Sequence, residues 1–398
     1  MEKHSIVVIG AGYAGMIATL RMSGKLPSAT EIILINTSPN FVERTRQHQV
    51  SAEQAIRVHS IKELLSGRPV RFIVGTVTAL NPNDKTIVVK DEEQSRIISY
   101  DTLVYALGSL VGIGTIKGIN EYCYLPRQST ELVPKLQLIN SKSGHVAVIG
   151  GGLTGIEWAA EVAEHYPNSI VTLVTNGEIG KGLSTKGRAY ILGVLRSMGI
   201  VVREKTYVHE IDSSYVQTDK DTVVYDACLW AGAFAVSSLA EHSGLAVNER
   251  GRIRVDNYMR SLSHPDVFAV GDAAVIDSKP QRMACATAMP MGAYAGDSII
   301  RMLNNQPPKP FSFRYVLQCI SLGRKRGLVQ FVDADDQPSE RIITGRLGAF
   351  VKEQVLKYTI WSIQWERRLT GSYQFPSHPW KSSNVNNISS DDHEESFA

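Results

Sequence analysis

The chain has 398 residues, 43% of them hydrophobic and 20% charged, with a formal net charge of +3. That length and apolar content predict an ordinary globular protein of two or three domains with a large core. Acidic and basic residues are interspersed, without a long basic run or an aromatic-basic stripe, so no nucleic-acid partner is expected. No apolar run approaches the length of a membrane span, and residues 1–4 lead straight into an apolar segment with no room for a signal peptide. The expected location is cytoplasmic, and no metal site is expected: Cys123, Cys228, Cys285 and Cys319 are far apart and form neither CxxC nor CxxxxC. Small buried hydrophobes in a reducing compartment are the plain reading of all four.

In chain order, an apolar strand over 6–9 runs into Gly10-Ala11-Gly12-Tyr13-Ala14-Gly15, and good helix formers follow from 16 to 22. A second strand is predicted over 31–35, then an irregular polar segment over 36–54 of the kind that lines sites. Residues 71–77 and 86–90, broken by Asn81-Pro82-Asn83-Asp84, predict a hairpin or meander. A buried strand over 100–107 ends at Gly108. The order then repeats. A strand over 146–149 enters Gly150-Gly151-Gly152-Leu153-Thr154-Gly155, a helix follows over 156–163, a strand over 170–174, a helix over 186–198, a strand over 201–203, a meander over 208–224 and a strand over 226–231 ending at Gly232. In each glycine run the first residue permits a tight turn, the second lets backbone approach a pyrophosphate, and the third lets helix pack on strand. Two copies in this setting predict two bound dinucleotides.

From 252 the chain matches neither half. A strand over 267–270 opens into Gly271-Asp272-Ala273-Ala274, a helix over 287–303 ends at Asn304-Asn305-Gln306-Pro307-Pro308, strands follow over 315–322 and 327–332, and a helix over 348–369 precedes a polar stretch, 381–398, expected to be disordered. In that last helix Leu347, Val351, Val355, Tyr358, Trp365 and Leu369 recur at near-helical spacing beside Trp361, with basic residues interleaved. The fold class is α/β: two Rossmann-like dinucleotide-binding domains, each a three-layer parallel sheet plus antiparallel meander, with a smaller α+β C-terminal region.

The two fingerprints, Tyr100 to Ser109, Leu229-Trp230-Ala231-Gly232 and the Gly-Asp-Ala-Ala loop together resemble the two-dinucleotide flavoproteins related to pyridine nucleotide-disulfide reductases. Within that group the chain is similar to type II NADH dehydrogenases and apoptosis-inducing-factor-like NAD(P)H:quinone oxidoreductases, over about residues 5 to 332. The resemblance implies FAD bound by a domain in two parts, 1–112 and 251–306, and NAD(P)H bound by 113–250. A C-terminal region over 307–372 and a disordered tail over 373–398 complete the expected layout. Gly10, Gly12, Tyr13, Ala14 and Gly15 would hold the FAD pyrophosphate, Gly271 and Asp272 its ribityl or phosphate side, with Asn36, Val77, Ala106, Gly108 and Met289 nearby. Gly150, Gly152, Leu153, Thr154, Gly155, Thr175 and Gly232 would take NAD(P)H. The implied reaction moves a hydride from nicotinamide C4 to flavin N5, then electrons to a quinone-like small acceptor.

Several alternatives stand at this point. Asp272 is also a plausible helix N-cap by residue type. Glu157 either approaches the nicotinamide or only complements a helix dipole. Arg44 either stabilises charge on the flavin or its pyrophosphate, and His48 relays a proton, or both lie on one solvated helix face. Asn36 and Thr175 replace the usual ribose-binding acids, which leaves NADPH open, with Lys181 and Arg188 as candidate cations. Both glutamines of the Ala-Gln-x-Ala-x-Gln quinone stretch are missing at Ala288 to Gly292, where Met289 and Met291 either form a wall beside the flavin or fill core gaps. A sulfide:quinone chemistry requires the fold to bring together two of Cys123, Cys285 and Cys319. The Arg324-Lys325-Arg326 turn is an ordinary charged turn or an anion contact. The last helix meets a membrane surface, its own protein or a dimer mate. A biosynthetic flavin oxidase or dehydrogenase, and an NAD(P)H-responsive interaction protein, are the competing functions.

Overall fold

Two parallel five-stranded sheets, built to the same plan, organise the chain. The computed structural model describes residues 3–377 except 28, 93 and 280. The first sheet runs Val267–Ala269, Thr102–Tyr105, His4–Ile9, Thr30–Asn36, Val70–Val74, and the second Cys123–Tyr124, Ala227–Trp230, His145–Ile149, Ile170–Val174, Val201–Arg203. In both, the strand that leads into a glycine fingerprint is central. Both sheets are covered on two faces, which is why their central strands are continuous apolar runs, with Ile6, Val7, Val8 and Ile9 all fully buried. Because Val267–Ala269 pairs with Thr102–Tyr105, the chain beyond 251 returns to the first half.

The helix Tyr13–Ser23 lies between the first sheet and the helix Cys285–Leu303, and every residue of it is buried. The two helices touch backbone to backbone at Gly292, where a Cβ would meet the Ala14 carbonyl oxygen at 2.2 Å. Residues 71–77 do not form one hairpin arm as the alternation predicts. Val70–Val74 is instead the parallel edge strand of the first sheet, and the meander starts afresh at Thr76–Asn81, continuing through Thr86–Lys90 and Ser95–Ser99. Gly75 allows the break, since a Cβ there would lie 2.8 Å from Val89. The second meander is Val208–Ile211, Tyr215–Thr218 and Thr222–Val224.

The C-terminal region is a three-stranded antiparallel sheet, Leu317–Ser321, Gly327–Val332 and Pro338–Thr344, covered by the helix Gly345–Arg368. Its third strand escapes sequence reading because Pro338-Ser339-Glu340-Arg341 is polar and opens on proline, the composition of an edge strand. Ile320, Leu322 and Leu328 join the core of the second half, while Ile360 and Ile363 join that of the first. The region therefore clasps both halves.

The helix Gly345–Arg368 docks through Gly348, Lys352, Leu356, Thr359, Ile360, Ile363 and Glu366, and the stripe that the periodicity picks out is its other face. Leu347, Phe350, Tyr358, Trp361, Trp365 and Leu369 are exposed. At the end of the docked face, Arg21 Nε donates to Glu366 Oε1 at 2.5 Å, Arg21 Nη1 to Asp297 at 2.7 Å and Nη2 to the Tyr373 carbonyl at 2.7 Å. Glu366 also accepts from the backbone N–H of Gly371 and Tyr373. Tyr373 is buried, so the expected tail boundary at 373 falls too early; residues 378–398 of that tail lie outside the described residues. Glu366→Gln keeps the shape but removes the charge opposite buried Arg21. Urea unfolding should show a loss of about 2 kcal/mol, and an unchanged midpoint would mean that this contact does not hold the C-terminal helix.

Candidate active site between the two halves

Each fingerprint is shaped by what a side chain would hit. Gly10 has φ +97°, and a Cβ there would meet the Ala106 carbonyl oxygen at 2.4 Å; one on Gly15 would meet the Gly10 carbonyl oxygen at 1.9 Å. The second loop repeats this, with Gly150 at φ +126° and 2.2 Å from the Ala231 oxygen, and Gly155 at 1.9 Å from the Gly150 oxygen. At Gly12 and Gly152, by contrast, a Cβ meets nothing within 4 Å. The middle glycine of each loop faces open space beside a helix N-terminus, the cradle that a pyrophosphate fills.

Asn36 ends the second strand of the first sheet. Its Oδ1 accepts from the Ala11 N–H at 3.0 Å and its Nδ2 donates to the Ser38 carbonyl at 2.9 Å, so the residue fixes the fingerprint loop. Tyr13 packs edge-on against Phe41 and reaches Thr45 Oγ1 with its hydroxyl. Val77 is half-buried just beyond Gly75, whose N–H donates to the Asn36 carbonyl. Met289 and Met291 are buried in the apolar core, which favours the gap-filling role.

Asp272 lies in the short turn Gly271–Ala273, and a strand, Ala274–Val275, follows it. There is no helix for it to cap, so that alternative fails. Its Oδ2 accepts from Ser109 Oγ at 2.6 Å, and Arg44 Nη1 donates to the Ser109 carbonyl at 2.6 Å. Gly108, at φ +66°, turns the chain beside Arg44, whose guanidinium also lies 5.8 Å from the Phe234 ring centroid. Arg44 and Asp272, 228 apart in sequence, are thus joined through Ser109 at the mouth of the first loop.

A second cluster lies where the halves meet. The reading of Arg44 and His48 on one solvated helix face fails for His48, which is buried; Arg44 is exposed, but on a separate 3-10 turn, Arg44–Arg46. Its Nδ1 is 3.7 Å from Glu157 Oε2 and its Nε2 3.8 Å from Glu161 Oε1, and burial lowers its pKa to about 4. His48 is therefore neutral at physiological pH, where the sequence pointed to a proton relay near neutrality. Glu157 Oε1 accepts from the Ser321 N–H at 3.0 Å and lies 2.9 Å from Lys352 Nζ, which also donates to the Cys319 carbonyl at 3.0 Å. Burial alone would push the Glu157 carboxyl up, but the Lys352 ammonium and the Ser321 N–H beside it hold it below the usual range. The dipole reading of Glu157 is thus too small. Burial pushes Glu161 up to about 7 against the opposing charge of Arg324.

His48 sets a stability window. Between pH 6.5 and about 4 the unfolded chain takes a proton there and the folded chain does not, so this contribution weakens the fold as pH falls. Melting curves of His48→Gln should fall less steeply across that window. An identical pH dependence would assign the effect to other groups, Glu161 excepted, because its raised pKa weakens the fold as pH rises toward 7 and not as pH falls.

In the second half Thr175 packs on Gly151, where a Cβ would lie 2.7 Å from its Oγ1. Arg188 is committed to Glu204 at 2.7 Å, while Lys181 is exposed. Gly232 follows its strand as Gly108 does, with the Trp230 ring against it. The fold brings Cys123 Sγ to 3.3 Å from Cys228 Sγ, both buried on adjacent strands of the second sheet. Cys285 and Cys319 lie near Lys352 instead; burial pushes both thiols up, Cys319 to about 11, so neither is a thiolate near neutral pH.

Residues 4–292 match the family described as pyridine nucleotide-disulphide oxidoreductase. The chain belongs to this family. Its members are oxidoreductases, FAD is their cofactor, and the open cradle at Gly12 with the Ser109–Asp272 pair fits that group. A probable NADH dehydrogenase of Dictyostelium discoideum is 26% identical over 377 residues, covering 83% of this chain and 81% of that protein. A type II NADH:quinone oxidoreductase of Staphylococcus haemolyticus is 26% identical over 397 residues, covering 89% and 94%. NDH2 from Plasmodium falciparum, solved in complex with NADH, shares the fold with a TM-score of 0.77 at 16% identity over 93% of this chain and 99% of that one. The sulfide:quinone oxidoreductase of Aquifex aeolicus does so with a TM-score of 0.79 at 18% identity over 91% of each.

Within the family, this chain has no thiol pair behind its first fingerprint. Sequence reading missed Lys352 and Ser109 as site residues. Lys352 was detectable as the one cation on the Gly348, Leu356, Ile360, Ile363 face of its helix, a face that only burial reveals.

Proposed function

We propose that the protein is an FAD-dependent oxidoreductase that oxidises NAD(P)H and reduces a quinone or similar small acceptor without a redox-active disulfide. The observation that carries this reading is the pair of matching glycine cradles, one completed by Ser109, Asp272 and Arg44 and the other at the N-terminus of the helix that carries Glu157. Gly10, Gly12, Gly15, Asp272 and Gly108 would hold FAD, which when bound accepts a hydride and passes electrons on. Gly150, Gly152, Leu153, Thr154, Gly155 and Thr175 would hold the pyridine nucleotide. With Thr175 in place of an acid, the strand-end residue itself does not repel a 2'-phosphate, and Glu204 beside it is held by Arg188, so both nucleotides are accepted.

Lys352 and Glu157 supply the proton chemistry. The Lys352 ammonium, kept charged by Glu157 despite burial, donates toward the acceptor, and His48 stays an uncharged spacer between the two glutamates. Excluding water from this cluster strengthens each of these interactions. The exposed row Phe350, Tyr358, Trp361 and Trp365, flanked by Arg346, Lys357 and Arg368, supports peripheral contact with a membrane surface. Among the described residues no helix is long and apolar enough to cross a membrane. Steady-state oxidation of NADH or NADPH with a quinone acceptor tests the activity. Saturable turnover supports it, whereas a flavin-loaded protein inert to both nucleotides favours a biosynthetic flavin oxidase.

A further inference from the structure

Resting on the activity proposed above, we propose that the electron acceptor carries an acidic group. It enters a cavity of about 430 Å³ between the turn over 322–326 and the start of the helix Gly345–Arg368. The cavity is lined by Arg324, Lys325, Arg346, Phe350, Lys352 and Glu353, among others. It opens at one end to solvent and reaches Lys352, the buried cation 2.9 Å from Glu157. An acceptor placed there meets the proton-donating cluster directly. Phe350, 61% exposed, offers an aromatic face to a planar ring.

The charge at this mouth is unbalanced. Glu353, the one carboxylate in the lining, is held by Arg46 through two hydrogen bonds of 2.9 Å. The Arg324 guanidinium is turned toward Glu161, while its backbone N–H donates to Glu164, and Lys352 is turned toward Glu157. Lys325 and Arg346 have no ion pair or side-chain hydrogen bond among the described residues. Two unpaired cations, beside two more already engaged, repel each other unless an anion lies among them, and they draw anionic ligands in from solution. A carboxylate or sulfonate on a quinone ring satisfies them, and a neutral quinone does not. The reaction balances as NAD(P)H plus one proton plus acceptor giving NAD(P)⁺ and the dihydro acceptor: the hydride brings the electron pair and one hydrogen, and solvent supplies the second hydrogen through Lys352.

Binding separates this from the activity itself. Calorimetry on the purified protein with redox-inactive naphthalene-2-sulfonate and with neutral naphthalene-2-methanol should show the sulfonate binding roughly tenfold tighter at low salt, an advantage that high salt erases. The double variant Lys325→Glu/Arg346→Glu should lose the advantage while keeping its flavin content and its bleaching by NAD(P)H. In turnover, kcat/KM for 1,2-naphthoquinone-4-sulfonate should fall about tenfold in that variant, with neutral menadione unaffected. Lys325→Gln/Arg346→Gln gives the same comparison should charge reversal impair folding. Equal binding of the two probes, or a preference that survives both variants, overturns the proposal. A protein that binds the sulfonate selectively yet is not bleached by NAD(P)H would instead overturn the activity and leave the anion site standing.

Discussion

A Gly15→Val protein is expected to purify without flavin. The Gly15 Cβ position lies 1.9 Å from the Gly10 carbonyl oxygen and 3.3 Å from the Ala106 Cβ, and neither neighbour is a flexible side-chain end. To admit the new atoms the helix Tyr13–Ser23 must back away from the turn. It is held on its other side by Gly292 against Ala14, so the turn gives instead, and the N–H groups at Gly12 lose their aim. Overpacking at such a point costs about 1–3 kcal/mol or more, and the cradle geometry is lost with it. Gly155→Val is the matched control, since its Cβ meets the Gly150 oxygen at the same 1.9 Å in the second loop. It should retain flavin and no longer be reduced by NAD(P)H. The ratio of flavin to protein absorbance checks the first outcome and anaerobic titration the second. A Gly15→Val protein with full flavin, or a Gly155→Val protein that bleaches normally, would mean that the two cradles have been assigned wrongly.

Lys352→Met should lower turnover with the acceptor about 100-fold while leaving flavin content intact, the scale expected for loss of a positioned proton donor. Methionine fills the space and carries no charge, so the Glu157 carboxylate stays buried with only the Ser321 N–H and a neutral His48 beside it. Burial then dominates and the Glu157 carboxyl titrates higher than in the unaltered protein. If the reaction uses ionised Glu157, the acid limb of the pH–rate profile moves up, and Lys352→Arg restores part of the rate and the original limb. A uniform loss of rate with an unmoved profile would assign Lys352 to packing alone.

Much of the fold is legible in local sequence because its signals are local. The glycine runs announce their turns through positive φ at Gly10 and Gly150 and through close packing at Gly15 and Gly155. The parallel strands show as apolar runs because both their faces are covered. What the sequence hides depends on distant partners. His48 looks like a surface relay until Glu157 and Glu161 close over it, and its burial then reverses the expected titration. Asp272 has the composition of a cap, yet Ser109 takes its carboxylate. Lys352 reads as one of many cations on the final helix until the sheet beneath places it on Glu157, far back in the chain. The aromatic periodicity of that helix is real but marks its exposed face, since the docked face mixes Lys352, Thr359 and Glu366 with Leu356 and Ile360 and carries a weaker apolar signal.

Hydride transfer from a pyridine nucleotide to FAD held in the first cradle is the central step of the proposed reaction. Purified, flavin-loaded protein titrated anaerobically with NADH and separately with NADPH tests this directly. Loss of the flavin's visible absorbance on addition of either nucleotide, and its return on admitting a quinone, is the predicted result. A protein that holds FAD but stays yellow with both nucleotides, or one that is colourless and cannot be reconstituted with FAD, would contradict it.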